Sequence, residues 1–205
     1  LLIDDEIICG FGRTGEMFAI NHWDVVPDIM TVAKGISSSY LPLAATITTK
    51  EVADVFAGSD TWLRNIFTFS GHPVSAAVSL KNIEIIENEN MVENSAEVGA
   101  YFKEQLVDLK LDHPIIGDVR GLGLLMCVEL VSDRESKARF PTDAKIPARL
   151  NEKFRDHGLI LRMDSDVINI GPPLCITPSE VDEIMHAIDL SLWEIEGELG
   201  IAQMA

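Results

Sequence analysis

Two hydrophobic rhythms divide the chain. Residues 1–9, 29–33 and 43–49 are short runs of apolar or β-branched residues, the pattern of strands buried in a sheet. Between them lie breakers. GFGRTG at 10–15 carries three glycines in six positions and stops regular structure, and FAINHWDV at 18–25 reads as a short turn or helix. A short helix is expected over 50–57 and a loop over 58–70, with aromatics at Trp62, Phe67 and Phe69. Loops of that length are functional or lie at interfaces more often than not.

From residue 73 the period becomes helical. Pro73 sits in the first turn of a helix that should reach 88. A second helix is expected over 91–109, with Val98, Phe102, Leu106 and Leu109 on one face. A strand, a glycine-rich turn and a strand follow over 115–131, then a helix over 145–157 that stops at Gly158. Two short strands, 159–162 and 167–170, flank the turn MDSD. The last helix is announced by a capping box, Thr177-Pro178-Ser179-Glu180, and by the stripe Val181, Ile184, Ile188, Leu192 and Ile195. Strands alternating with helices predict α/β architecture with a parallel sheet in the first part, and the rest predicts a smaller α+β unit. The expected domains are 1–90 and 91–205. Leu1 falls in mid-strand, so the chain reads as the C-terminal portion of something longer.

Charge narrows the partners. The 33 acids against 16 Lys and Arg give a net charge of -17, which argues against nucleic acid and anionic membrane surfaces. No apolar run reaches the ~18 residues of a membrane span. Cys9, Cys127 and Cys175 are odd in number and far apart, which suggests reduced thiols in the cytoplasm. His22, His72, His113, His157 and His186 show no metal-ligand spacing, so no metal is expected. GFGRTG is not a dinucleotide fingerprint.

Five groups could carry chemistry. Lys34 closes an apolar strand, where burial would lower its pKa and suit it to imine formation with a carbonyl; the alternative is a lysine emerging into water. Asp5-Glu6 lies inside an apolar strand, where a buried carboxylate needs a partner; the alternative is a strand-end turn. Thr68, just before a helix, offers a hydroxyl and free N–H groups for a phosphate, or simply a helix cap. Arg162 ends a short strand. Arg120, between tight glycine turns at Gly121 and Gly123, reads as structural. Taken together, Lys34, Asp5 and Thr68 offer pyridoxal 5'-phosphate an amine for its aldehyde, an acid for its pyridinium nitrogen and donors for its phosphate.

Five co-linear blocks, DDEIICGFGRTG, PDIMTVAKGISSSYLPLAA, FTFSGHPVSAA, GDVRGLGLLMCVEL and GPPLCIT, resemble the class III pyridoxal-phosphate-dependent aminotransferases of fold type I. The resemblance implies the C-terminal part of the large, mainly parallel PLP-binding domain, followed by a small α+β domain. It implies that Asp5 meets the pyridine nitrogen, Ile7 lies under the ring, and Lys34 is the Schiff-base lysine. It implies that Thr68 reaches the phosphate of a neighbouring subunit's cofactor, hence a homodimer with a shared active site. Arg162 matches an arginine that swings to bind a substrate carboxylate and moves away for amines.

Two departures refine the picture. Ser37, Ser38 and Ser39 stand where many relatives carry glycines, and SSSYLPLAA is similar to the ω-amino acid and amine:pyruvate branch, taurine:pyruvate enzymes included. Asn169 stands where ornithine- and 4-aminobutyrate-type relatives place an arginine, which makes their mode of recognition less favoured. The implied activity is ping-pong amino transfer from an amine or ω-amino acid to a keto acid, with pyruvate as acceptor. The rivals are an aminomutase or a decarboxylase of the same fold, or an inactive fragment without an N-terminal half.

Overall fold

The computed structural model describes residues 1–201. The chain divides into two compact units, residues 1–93 and 94–205, and the division falls in the first turn of a long helix.

Unit 1 is a three-stranded sheet with helices. Strand β1 (Ile3–Glu6) pairs in parallel with β2 (Ile29–Val32), and β2 pairs antiparallel with β3 (Ala45–Thr48), giving the order β1-β2-β3. The expected strand over 1–9 is cut short at Glu6. Gly10 N–H donates to Glu6 C=O at 3.1 Å, which turns the chain away from the sheet. Helix α1 (Lys50–Asp54) follows β3, and α2 (Pro73–Asn88) has the bounds its sequence predicts. Its cap is His72, whose Nδ1 accepts from Ser75 N–H, rather than Thr68. Phe11, Val32 and Ile86 form a small buried cluster, with Met30, Ile36, Ile83 and others partly covered around it.

Unit 2 holds most of helix α3 (Met91–Asp112), which carries the predicted stripe; Val98, Phe102, Leu106 and Leu109 are all buried. Strands β4 (Ile116–Leu122), β5 (Leu125–Leu130), β6 (Arg162–Asp164) and β7 (Val167–Ile170) form an antiparallel sheet in the order β4-β5-β7-β6. Gly121 is required where β4 approaches its partner, because a Cβ there would lie 2.2 Å from the Leu125 carbonyl oxygen. Helices α4 (Ile146–Asp156) and α5 (Pro178–Leu199) complete the unit. Both halves of the predicted capping box at Thr177 and Glu180 are made, and Val181, Ile188, Leu192 and Ile195 are buried.

The strand expected over 159–162 is displaced to Arg162–Asp164. Asp164 pairs with Val167, so a two-residue turn, Ser165-Asp166, closes the hairpin, and Ser165 supplies the left-handed φ of 53° that such turns need. Among the described residues no helix is long and apolar enough to cross a membrane.

Candidate active site

Parallel pairing in register sets the carboxyl ends of β1 and β2 side by side. Asp5 stands opposite Thr31 and Glu6 opposite Val32. Open sheets of this kind take ligands outside the carboxyl ends of their strands.

Alternation along β1 separates the two acids. Glu6 is buried, 1% exposed, whereas Asp5 is exposed. The buried carboxylate expected of this strand is therefore Glu6. Its Oε1 accepts from Ile20 N–H at 2.8 Å, which fastens the segment that follows the glycine loop. Glu6 Oε2 and Asp4 Oδ2 are buried without a hydrogen-bond partner among the described residues. Burial, and then the neighbouring Glu6 charge, push the Asp4 carboxyl above the usual carboxylate range.

Asp5 is held on the other face. Its Oδ1 accepts from Ile7 N–H at 3.0 Å and from the Thr31 hydroxyl at 3.4 Å. These bonds fix the carboxylate, and Oδ2 makes no hydrogen bond among the described residues. Ile7, half-buried, follows β1 directly.

Lys34 opens a short 3-10 turn, Lys34–Ile36, just past the end of β2. Its φ is 42°, in the left-handed region that costs a residue with a Cβ about 1–2 kcal/mol. Such strain persists only where surrounding structure enforces it, and here that structure is visible. Asn82 of α2 donates to the Gly35 and Ile36 carbonyls at 2.8 and 3.3 Å. On the other side Gly35 lies against the glycine loop; a Cβ there would come within 3.1 Å of Gly10 O and Phe11 Cβ. Ser37 is buried and donates to Leu41 C=O at 2.8 Å. Ser38 and Ser39 have φ of 46° and 61°, the conformation glycine adopts without strain. Within this chain Lys34 itself is exposed, against the burial expected for it, although Val32 before it and Ser37 after it are buried.

The pairing of β1 with β2 thus brings Asp5, Ile7 and Lys34 into one neighbourhood. Thr68 is not joined to them by any hydrogen bond among the described residues. It is exposed on a turn closed by Ser70 N–H to Phe67 C=O at 3.0 Å.

Arg162 lies in unit 2 as the first residue of β6. Both its Nε and Nη2 donate to Asp164 Oδ1, at 3.2 and 3.1 Å. Its cross-strand partner is Asn169, the other position singled out for substrate selection. Arg120 on β4 pairs with Asp118 at 2.8 Å and Glu129 at 2.7 Å along the sheet surface, and these bonds raise its pKa further. A cavity of about 350 Å³ in unit 2, lined by His157, Pro173, Cys175 and Glu183 among others, contains none of the predicted site residues.

Sequence reasoning missed one cluster outright. His113 and Glu196 are both 0% exposed. His113 Nδ1 meets Glu196 Oε2 at 2.9 Å, and its Nε2 meets Asp189 Oδ1 at 2.8 Å. Burial alone would lower the imidazole pKa, but the two carboxylate bonds outweigh it and raise the pKa above its ordinary value. No local pattern announces partners 76 and 83 residues apart.

Known proteins resemble the chain along almost its whole length. The family profile described as aminotransferase class-III matches residues 1–192. A putrescine–pyruvate aminotransferase of Pseudomonas aeruginosa is 40% identical over 90% of this chain and 40% of its own length. A taurine–pyruvate aminotransferase of Bilophila wadsworthia is 38% identical over 98% of this chain and 46% of its own. The crystal structure of an (S)-enantioselective omega-transaminase from Thermomicrobium roseum superposes with a TM-score of 0.91 at 41% identity, covering 95% of this chain and 44% of that one. The chain spans less than half the length of each of these relatives.

Proposed function

Because the chain belongs to the class III aminotransferases, we propose that the protein carrying it moves an amino group from an amine or ω-amino acid to a keto acid, with pyruvate as the acceptor. The observation that carries the reading is the strained Lys34 just past the end of β2, the strand paired in parallel with β1, whose Asp5 carboxylate has one oxygen without a hydrogen bond among the described residues. An amine and a fixed carboxylate at adjacent strand ends fit the aldehyde and the pyridine nitrogen of pyridoxal phosphate, the cofactor of this family.

When bound, that cofactor supplies a carbonyl that captures amines and a ring that withdraws electrons from the donor carbon. Lys34 Nζ holds the cofactor between turnovers. It then removes the donor-carbon proton as general base and returns one as general acid. Asp5 Oδ2 holds a proton on the pyridine nitrogen, and the Ile7 N–H and Thr31 hydroxyl keep the carboxylate aimed. Ile7 gives the ring an apolar support. Thr68 donates to the phosphate of the partner subunit's cofactor, so the working unit is a homodimer. Arg162 receives the keto-acid carboxylate in a bidentate geometry that lysine cannot reproduce.

The similarity to pyruvate-using relatives supports the acceptor, the SSSYLPLAA run supports an amine or ω-amino acid donor, and Asn169 in place of a second arginine makes ornithine- and 4-aminobutyrate-type recognition less favoured. A coupled assay of the whole protein with an amine donor tests this. Alanine formation that depends on added pyruvate is the expected result. Turnover of the donor without any keto acid would point instead to an aminomutase or decarboxylase.

A further inference from the structure

We propose that Asp164 is a built-in competitor for Arg162, a positioning residue that sets how strongly the site grips carboxylate-bearing substrates. The inference rests on the reading of Arg162 as the carboxylate receptor. Residues 162 and 164 share a face of β6 by strand alternation, and Asn169 faces Arg162 across the hairpin. The result is a closed arrangement. The Nε and Nη2 edge of the guanidinium, the edge that forks onto a carboxylate, is turned onto Asp164 Oδ1 at 3.2 and 3.1 Å. Asp164 Oδ2 is meanwhile held by the Asn169 amide at 3.2 Å. Asn169 thereby keeps Asp164 aimed at the arginine, and the two-residue turn at Ser165-Asp166 fixes the register of all three.

An incoming keto acid exchanges one carboxylate for another on the same edge. An amine without a carboxylate leaves Arg162 on Asp164, so the guanidinium is never left unpaired beside an apolar substrate. Arg162 can then serve both classes. The pair is largely exposed, with side-chain accessibilities of 78% and 58%, so the competition is mild. Exposed ion pairs of this kind shift an equilibrium by about two- to fivefold.

The test compares D164N, R162A and the double variant in the whole protein, with pyruvate as acceptor and 1-phenylethylamine as carboxylate-free donor. D164N is expected to lower the pyruvate KM about two- to fivefold at nearly constant kcat, to leave the KM of the amine unchanged, and to have no effect on pyruvate KM once Arg162 is alanine. An unchanged pyruvate KM in R162A would overturn the reading of Arg162 itself. If R162A raises that KM and D164N does not lower it, the competitor role is overturned while Arg162 keeps its own. A D164N change that falls equally on pyruvate and the amine, or mainly on kcat, also overturns it, since that is what a merely structural role would produce.

Discussion

Within this chain, which spans less than half the length of the relatives described, units 1 and 2 use comparable lengths but bury very different amounts of apolar side chain. Unit 2 has one continuous core in which Phe102, Leu106, Leu124, Val128, Leu150, Phe154, Ile168, Ile188 and Leu192 are wholly enclosed. Unit 1 fully buries only Phe11, Val32 and Ile86 as hydrophobics, and leaves Ile3, Ile66, Phe67, Phe69 and Leu80 largely exposed. Yet Asp5, Ile7, Lys34 and Thr68 all belong to unit 1. So do three left-handed residues within one short segment, Lys34, Ser38 and Ser39. Packing and candidate chemistry are thus divided between the units, with local strain concentrated where the chemistry is proposed and the core concentrated where only Arg162 is. Strain of this sort needs support from neighbours, and in unit 1 that support comes from the Asn82 amide, the Gly10 carbonyl and Phe11 side chain beside Gly35, and the Ser37 hydroxyl.

The difference between the units is tested most forcefully in the core. Phe102→Ala should destabilise unit 2 by about 3–5 kcal/mol, the range for deleting a buried aromatic ring. Hydrogen exchange over residues 178–199 reads that unit by itself; protection there should collapse while residues 29–36 change little. Equal loss in both segments would show that the two units do not differ in the way described.

A pH experiment comes next. The folded-state pKa of His113 is raised, so the imidazolium clasp between Glu196 and Asp189 is fully stabilising below the ordinary imidazole value of 6.5, and its contribution is lost as pH rises through the folded value. Denaturant midpoints for unit 2 should fall over that window. His113→Leu alone, by leaving Glu196 buried and unpaired, should cost about 3 kcal/mol, and His113→Leu combined with Glu196→Gln should abolish the pH slope. A wild-type slope retained in the double variant would contradict the clasp.

The smallest effect probes unit 1. Ser39→Gly relieves a left-handed φ of 61° and should raise stability by about 0.5–1 kcal/mol after the added unfolded-state entropy is counted. A drop in midpoint would show that Ser39 makes a contact worth more than its strain.

What was legible in the sequence follows the same divide. The stripes of α3 and α5 and the Thr177 capping box could be read directly, because their signals are periodic and complete within one helix. Candidate chemistry at Lys34 and Asp5 was legible through the order of the motifs, and parallel pairing puts the two on neighbouring strand ends. Their exposure was not legible. An apolar run such as 1–9 does not say which carboxylate turns inward, since Glu6 is drawn in by Ile20, fourteen residues away. Cap and strand bounds failed for related reasons. His72 capped α2 through a side-chain contact that the residues around Thr68 do not announce, and the Ser165 turn shifted β6 so that Arg162 begins the strand instead of ending it.

Lys34 is proposed as the attachment and proton-transfer group. Its most direct test is borohydride fixation of pyridoxal phosphate to the whole protein, followed by peptide mapping. The phosphopyridoxyl group is expected on Lys34, with Lys34→Ala losing both the label and the turnover. A label fixed stoichiometrically on another lysine, or full turnover by Lys34→Ala, would contradict it.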